Sequence, residues 1–399
     1  TGVAEYRNPC HPDEARRNLL VETCRSITRD PGINAMKRTL LLACSGLLLV
    51  AASARSQTSQ PSTTEVKASF LKLLDRPKVP LDPKIQELKS PAKGLSGEHV
   101  SFAVEAHADG SMERVPALIF RPESAKPGEK LPVVLVLHGT GGNKEGNRGW
   151  LVELANRGFL AIAIDGRFHG ERGNGIPGTK AYNEAITRAW RSKPGEPQAH
   201  PFYYDTCWDI WRTIDYLTTR PDVDPERIGL IGISKGGIET WLAGAVDERV
   251  KVAVPAISVQ SFRWSLEHER YQARANTIRE AHEAAATDLG EPAINARVCR
   301  ELWARIIPGI LDEFDGPSML RLFSNRSLLI ISGDKDPNCP LEGAEIAFAS
   351  AKAAFHQANA DEHLKIMVAK NSGHTVTREQ HAAALDWFVR WLKPTEPKR

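Results

Sequence analysis

Gly232-Ile233-Ser234-Lys235-Gly236-Gly237 sets a serine among glycines where one local pattern gives way to another. Before it, Arg227-Ile228-Gly229-Leu230-Ile231 is a short apolar run of strand type, and residues 221–227 supply the turn that precedes it. After it, residues 238–246 continue as a helix. The serine is therefore expected in a tight turn from strand to helix. Such a turn accounts for the glycines, because a Cβ at position 232 or 236 would collide with the adjoining strand and helix. A serine at a helix N-terminus also lies where free backbone NH groups meet negative charge developing on a reacting carbonyl oxygen. A lone G-x-S-x-G string arises often by chance, so its weight rests on the rest of the chain.

Working outward, Leu131–Leu137 is a continuous apolar strand, followed by a Gly-rich loop, a helix over 150–156 and a second buried strand over 159–164. Residues 207–219 carry Trp208, Ile210, Trp211, Ile214 and Leu217 at helical spacing. The elbow strand comes next, then strands at 250–256, 326–332 and 364–369, and a closing helix over 378–392. Buried strands separated by helices imply a mostly parallel sheet covered on both faces. Upstream, 99–107 and 114–121 flank Asp109-Gly110 as an antiparallel hairpin. Two segments interrupt the alternation. Residues 170–204 are rich in Gly and Pro, with a helix at 181–190. Residues 258–324 are helical and carry Phe262, Trp264, Tyr271, Trp303 and Phe314 among many charges, as an amphipathic cap over the sheet would.

The N-terminus has a different character. Met36-Lys37-Arg38 and the apolar run 39–50, followed by Ala52-Ser53-Ala54, fit a secretory signal over 36–54. The apolar run is shorter than the roughly 20 residues that span a bilayer, so export with cleavage near Ala54 is expected over a membrane anchor. Residues 1–35 read as sequence upstream of the true start. Residues 55–67, rich in Ser, Thr and Gln, read as a flexible linker, leaving 68–399 as one domain. Residues 68–91 are expected to form one short helix and then wrap that domain.

A formal charge of +3 over 399 residues is close to balance, and no basic cluster with interleaved aromatics points to nucleic acid. The mature chain would keep Cys207, Cys299 and Cys339, too few for a disulfide scaffold. Without H-E-x-x-H or paired C-x-x-C, and with residues 139–145 failing the phosphate-loop pattern, no metal or cofactor is expected. No pattern in the chain fixes an oligomeric state.

A serine hydroxyl is a weak nucleophile at neutral pH and needs a base, which in turn needs an acid to fix its tautomer and stabilise its cation. The apolar strand 328–333 runs into Asp334-Lys335-Asp336-Pro337, which puts two carboxylates at a strand end. Asp336, stiffened by Pro337 and Pro340, is the expected acid, and Asp334 is expected to organise the turn. Asn371-Ser372-Gly373-His374 follows the last strand, and His374 is the expected base. His381 belongs to the terminal helix, and His138 and His169 precede the serine. For the oxyanion, one NH is expected from Lys235 and a second from the loop 138–142, where Thr140 leads and Gly139 and Gly141 stay open. The Lys235 side chain is expected to be a solvated or paired charge. Residues 165–172 (D-G-R-F-H-G-E-R) read as a structural network, with a pocket role for Arg167 or His169 as the lesser reading.

With these residues in place, 133–392 resembles the α/β-hydrolase superfamily, especially dienelactone-hydrolase-like and prolyl-oligopeptidase-like serine esterases. The matching elements are H-G-T-G-G at His138, D-G-R-F-H-G at Asp165, R-I-G-L-I-G-I-S-K-G-G at Arg227, G-D-K-D-P at Gly333 and S-G-H at Ser372. The resemblance implies an α/β-hydrolase fold and acyl transfer to water through an acyl-serine. The expected activity is that of an exported carboxylesterase acting on a small-molecule or polymer-attached ester. A serine peptidase is the second reading, although little chain precedes the body to form a large gating domain. A hydrolase-like protein that binds a ligand without turnover is the third.

Overall fold

The computed structural model describes residues 61–393 apart from 127 and 177. The expected signal at 36–54 and the upstream segment 1–35 lie outside the described residues. So do linker residues 55–60.

Helix α1 (Thr63–Leu73) opens the described chain with a capping box: Glu65 N donates to Ser62 Oγ at 3.2 Å, and Ser62 N donates to the Glu65 carboxylate at 2.8 Å. Residues 63–67 are therefore the start of a helix and not the tail of a linker. The same Ser and Thr content that reads as flexible supplies the cap, while Val66 and Phe70 reach the core. Strand β1 (Lys84–Ala92) follows in place of the expected wrapping segment, antiparallel to β2 (Leu95–Ala106). It is a mostly exposed edge strand carrying Lys, Glu and Pro, the composition that protects an edge and hides a strand from pattern reading. β2 and β3 (Met112–Pro122) form the expected hairpin, turned at Gly110 with φ 84°.

The main body runs β4 (Leu131–Leu137), α2 (Arg148–Asn156), β5 (Leu160–Ile164), α3 (Lys180–Trp190), α4 (Tyr204–Thr219), β6 (Val223–Ile233), α5 (Lys235–Val246) and β7 (Val250–Ala256). Five short helices then fill the stretch before the next strand: α6 (Phe262–Glu267), α7 (Gln272–Asn276), α8 (Arg279–Asp288), α9 (Ala296–Ile306) and α10 (Gly316–Met319). The chain ends with β8 (Ser327–Gly333), α11 (Leu341–Gln357), β9 (Leu364–Ala369) and α12 (Arg378–Leu392). Sequence reading passes over α11. Its buried residues are mostly Gly343, Ala344, Ala347 and Ala351, which give too weak an apolar stripe to stand out.

The sheet order is β1-β2-β3-β5-β4-β6-β7-β8-β9, and every pairing from β5 onward is parallel. This mostly parallel sheet flanked by helices is the α/β-hydrolase fold. Alternation along β4 shows how both faces are covered: Leu131, Val133, Leu135 and Leu137 join the core beneath α1, α4 and α5, while Val134 and Val136 pack towards α2 and α12. Because β4 lies between β5 and β6, the loops leaving β4 and β6 meet at the sheet's C-terminal edge, where a crevice opens in sheets of this kind. Cys207, Cys299 and Cys339 are buried and free. Among the described residues no helix is long and apolar enough to cross a membrane.

Candidate active site

Ser234 occupies the single-residue turn between β6 and α5, with φ 55° and ψ −112°. A side-chain-bearing residue at positive φ is strained and persists only where its surroundings hold it. Here Ser234 N donates to Ala256 O at 2.9 Å and Ile238 N donates back to Ser234 O at 3.0 Å. The flanking glycines are steric necessities: a Cβ on Gly232 would lie 2.0 Å from Gly236 O, and one on Gly236 would lie 2.6 Å from Leu137 O. Gly237 is equally confined, 2.3 Å from Ser258 Oγ by the same measure.

The structure brings Ser234, His374 and Asp336 together. His374 Nε2 is 2.7 Å from Ser234 Oγ, and its Nδ1 lies 2.9 and 2.8 Å from the two Asp336 oxygens. Asp336 is buried, and its Oδ1 also accepts from Asn338 N at 2.8 Å and Cys339 N at 3.1 Å. Asp334 does a different job: its Oδ1 accepts from Ser372 N at 3.0 Å, and Lys335 N donates to Ser372 O at 2.9 Å, so the acid loop grips the histidine loop. Backbone NH donation, first from Asn371, holds the Asp334 carboxyl below its ordinary range. The two loops approach so closely that a Cβ on Gly333 would lie 2.4 Å from Ser372 O. From α12, buried Gln380 donates to Ser332 O at 2.8 Å and Met367 O at 3.1 Å, pinning the ends of β8 and β9 side by side.

The loop after β4 lies against the serine. A Cβ on Gly139 would fall 3.6 Å from Ser234 Cβ, and Gly142 N closes a turn onto Gly139 O at 3.0 Å. Gly141, at φ 76°, faces Thr179 instead. Gly166 N donates to His138 Nε2 at 3.0 Å, so the proton sits on Nδ1, which donates to Gly139 O at 2.8 Å. His381 lies on α12 with its ring 3.8 Å from that of Trp150 on α2.

Lys235 takes the paired setting of the two expected for its side chain, solvated or paired. It is fully buried, with Nζ 2.5 Å from Glu239 Oε1 one helical turn on and 5.7 Å from the Tyr182 ring centre. The i,i+4 spacing was visible in the sequence, but nothing there says that this face of α5 points inward. His138 and His169 stand beside the pair, their rings 5.1 Å apart. Burial, reinforced by the Lys235 charge, pushes His138 down to about 4 and His169 to about 2, so both are neutral imidazoles. Residues 165–172 form a buried network. Asp165 accepts from Lys144 N and Nζ and from Glu171 N, while Arg167 and Arg172 share Asp209.

Among the described residues, Asp336, Cys339 and His374 are the one group of acidic, thiol and imidazole donors within 4.8 Å of one another. Asp336 and His374 already satisfy each other there, which leaves an acid–imidazole–hydroxyl chain as the arrangement's chemistry.

A family profile described as Acetyl xylan esterase (AXE1) matches residues 71–270, half of the chain. The chain belongs to the acetyl xylan esterase family. Membership makes it an ester-hydrolysing enzyme. The Prolyl oligopeptidase family profile matches residues 312–395, the part that carries the acid and histidine loops. The enzyme is 24% identical to YtaP of Bacillus subtilis (strain 168), a protein named only as a hydrolase, over 70% of this chain and 84% of that one. Matches to two further relatives are confined to 42% and 36% of their lengths. Among solved structures it shares its fold with an acetyl xylan esterase from Paenibacillus sp. R4, with TM-score 0.52, 21% identity and coverage of 85% of this chain and 98% of that one. A glucuronoyl esterase from Solibacter usitatus superposes with TM-score 0.55 at 17% identity, over 84% and 93% of the two chains.

Two outcomes follow from the buried charges. Glu239→Gln leaves Lys235 without its counter-charge and should cost about 3–5 kcal/mol, whereas the joint Lys235→Met/Glu239→Leu change should restore most of that, as read by urea unfolding. The histidines bear on acid stability. Since their folded-state values lie below the ordinary 6.5, the unfolded chain takes up protons first, so their contribution is full above pH 6.5 and declines as the pH falls towards 4 and 2. Between pH 7 and pH 5 each should withdraw about 2 kcal/mol. His169→Phe should flatten the decline, and a wild-type curve level over that interval would refute the assignment.

Proposed function

We propose that this enzyme is a serine carboxylesterase that works through an acyl-Ser234 intermediate. The hydrogen-bonded chain Ser234 Oγ–His374–Asp336, with 2.7 Å at its reactive end, carries the reading. His374 takes the hydroxyl proton as Oγ attacks the ester carbonyl, and Asp336 steadies the imidazolium. The backbone NH groups of Lys235 and Thr140, with Gly139 as the alternative to Thr140, receive the oxyanion. His374 then protonates the departing alcohol, and water repeats the sequence to free Ser234.

The family points to an acetyl group as the acid part and a polysaccharide hydroxyl as the alcohol, with the helices over 258–324 acting as the cap that selects it. The profile match over 312–395 favours peptide hydrolysis as a second reading, since both chemistries use the same acid and base. A fluorophosphonate should label Ser234 and no other residue. Ser234→Ala should abolish labelling and lower kcat/KM on acetylated xylo-oligosaccharides by at least about 10⁴-fold, with Asp336→Asn costing about 10⁴-fold in kcat. Turnover undiminished in the alanine variant overturns the nucleophile, and faster cleavage of peptides than of acetyl esters overturns the substrate class.

Export is part of the same proposal, resting on the charged and apolar pattern of 36–54. N-terminal sequencing of protein recovered outside the cytoplasm should begin at or near Arg55. A chain retained inside the cell with residues 36–54 attached would contradict it.

A further inference from the structure

Arg274, on α7, is 1% exposed, and its guanidinium is spent in an unusual way. Nη2 donates to the carbonyl of Asn338 at 3.1 Å and to Cys339 Sγ at 2.8 Å, and the buried Tyr203 hydroxyl also bears on the guanidinium. A guanidinium buried without a contacting carboxylate is costly, and folding tolerates it only where the surroundings repay the desolvation. The two residues it holds are those whose NH groups fix Asp336 Oδ1. The turn is secured from a third side by Cys339 Sγ, which donates to Ile257 O at 3.3 Å. Ile257 itself is a β-branched residue held at φ 46°.

We propose that Arg274 is a positioning residue for the Ser234–His374–Asp336 chain: it clamps the 337–339 turn from α7, so that Asp336 meets His374 squarely and the helical segment is coupled to the acid. This rests on the catalytic reading given above. The groups acting on the guanidinium are Tyr203 from the residue before α4, and Cys339 and Asp336 from the loop after β8. Burial keeps Cys339 neutral by pushing its thiol up to about 12, and Tyr203 is pushed upward by burial too, so Asp336 is the carboxylate that faces the charge.

Arg274→Met should therefore lower kcat by about 10²-fold with KM for an acetyl ester moving less than about threefold, because a misplaced acid impairs the reacting geometry and not substrate binding. Arg274→Lys keeps the charge but its Nζ ends one atom short of the Nη2 position that meets both acceptors, so kcat should recover only in part. If Arg274→Met fails to fold, Arg274→Lys and Cys339→Ala decide, and wild-type kcat in both overturns the proposal. So does a folded Arg274→Met enzyme whose loss lies wholly in KM. Fluorophosphonate labelling of Ser234 in the wild type separates these results from a failure of the catalytic reading.

Discussion

The hydrogen bond from Ser234 N to Ala256 O ties the end of β6 to the end of β7 and keeps the serine backbone in a conformation it would not choose. Everything near the crevice is arranged around that constraint. The Gly232 and Gly236 backbones touch where side chains would otherwise stand, α5 can start immediately after the serine, and the β4 loop can come within van der Waals distance of it. The parallel sheet makes the arrangement rigid, because β6 is a central strand with partners on both sides. A strained turn on a rigid platform aims one hydroxyl in one direction, which loop placement alone could not do.

Polar chemistry is layered beneath this point. The Lys235–Glu239 pair, the neutral imidazoles of His138 and His169 and the Arg167–Asp209–Arg172 cluster are nearly all withdrawn from solvent. Such groups hold their charges only through close partners, so each fixes the position of the next. Asp165 shows the effect in one residue: it accepts from Lys144 and Glu171 at once and so sets the loops after β4 and β5 in relation to each other. The cost of burying these groups is met by order at the crevice, where small displacements matter most.

Much of this was legible in the chain. Apolar runs at 131–137, 250–256 and 364–369 match strands in their bounds, because buried parallel strands such as the first two leave a nearly continuous apolar signal and the edge strand at 364–369 keeps most of it. The geometry around Ser234 followed from glycines that have few other reasons to cluster, and Asp336 and His374 followed from loops placed after strands. What stayed hidden was information that no local window holds. The exposed strand β1 looks like loop because its edge is protected by charge, and the Ala-rich α11 lacks a stripe. The inward turn of Lys235 depends on how α5 packs against the rest of the domain. Arg274 could not be singled out, because its partner loop is more than sixty residues away along the chain and the contact exists only once the helices between β7 and β8 fold back.

The order in which the elements leave the ribosome gives the histidine loop a further meaning. Among the described residues β9 and α12 come last in chain order, and Gln380 in α12 pins the ends of β8 and β9 together. A chain interrupted between residues 336 and 374 therefore holds Ser234 and Asp336 but lacks the imidazole between them. The three side chains can meet only after the chain has been made past residue 374, so their hydrogen-bonded contact reports on folding of the β9–α12 end of the domain.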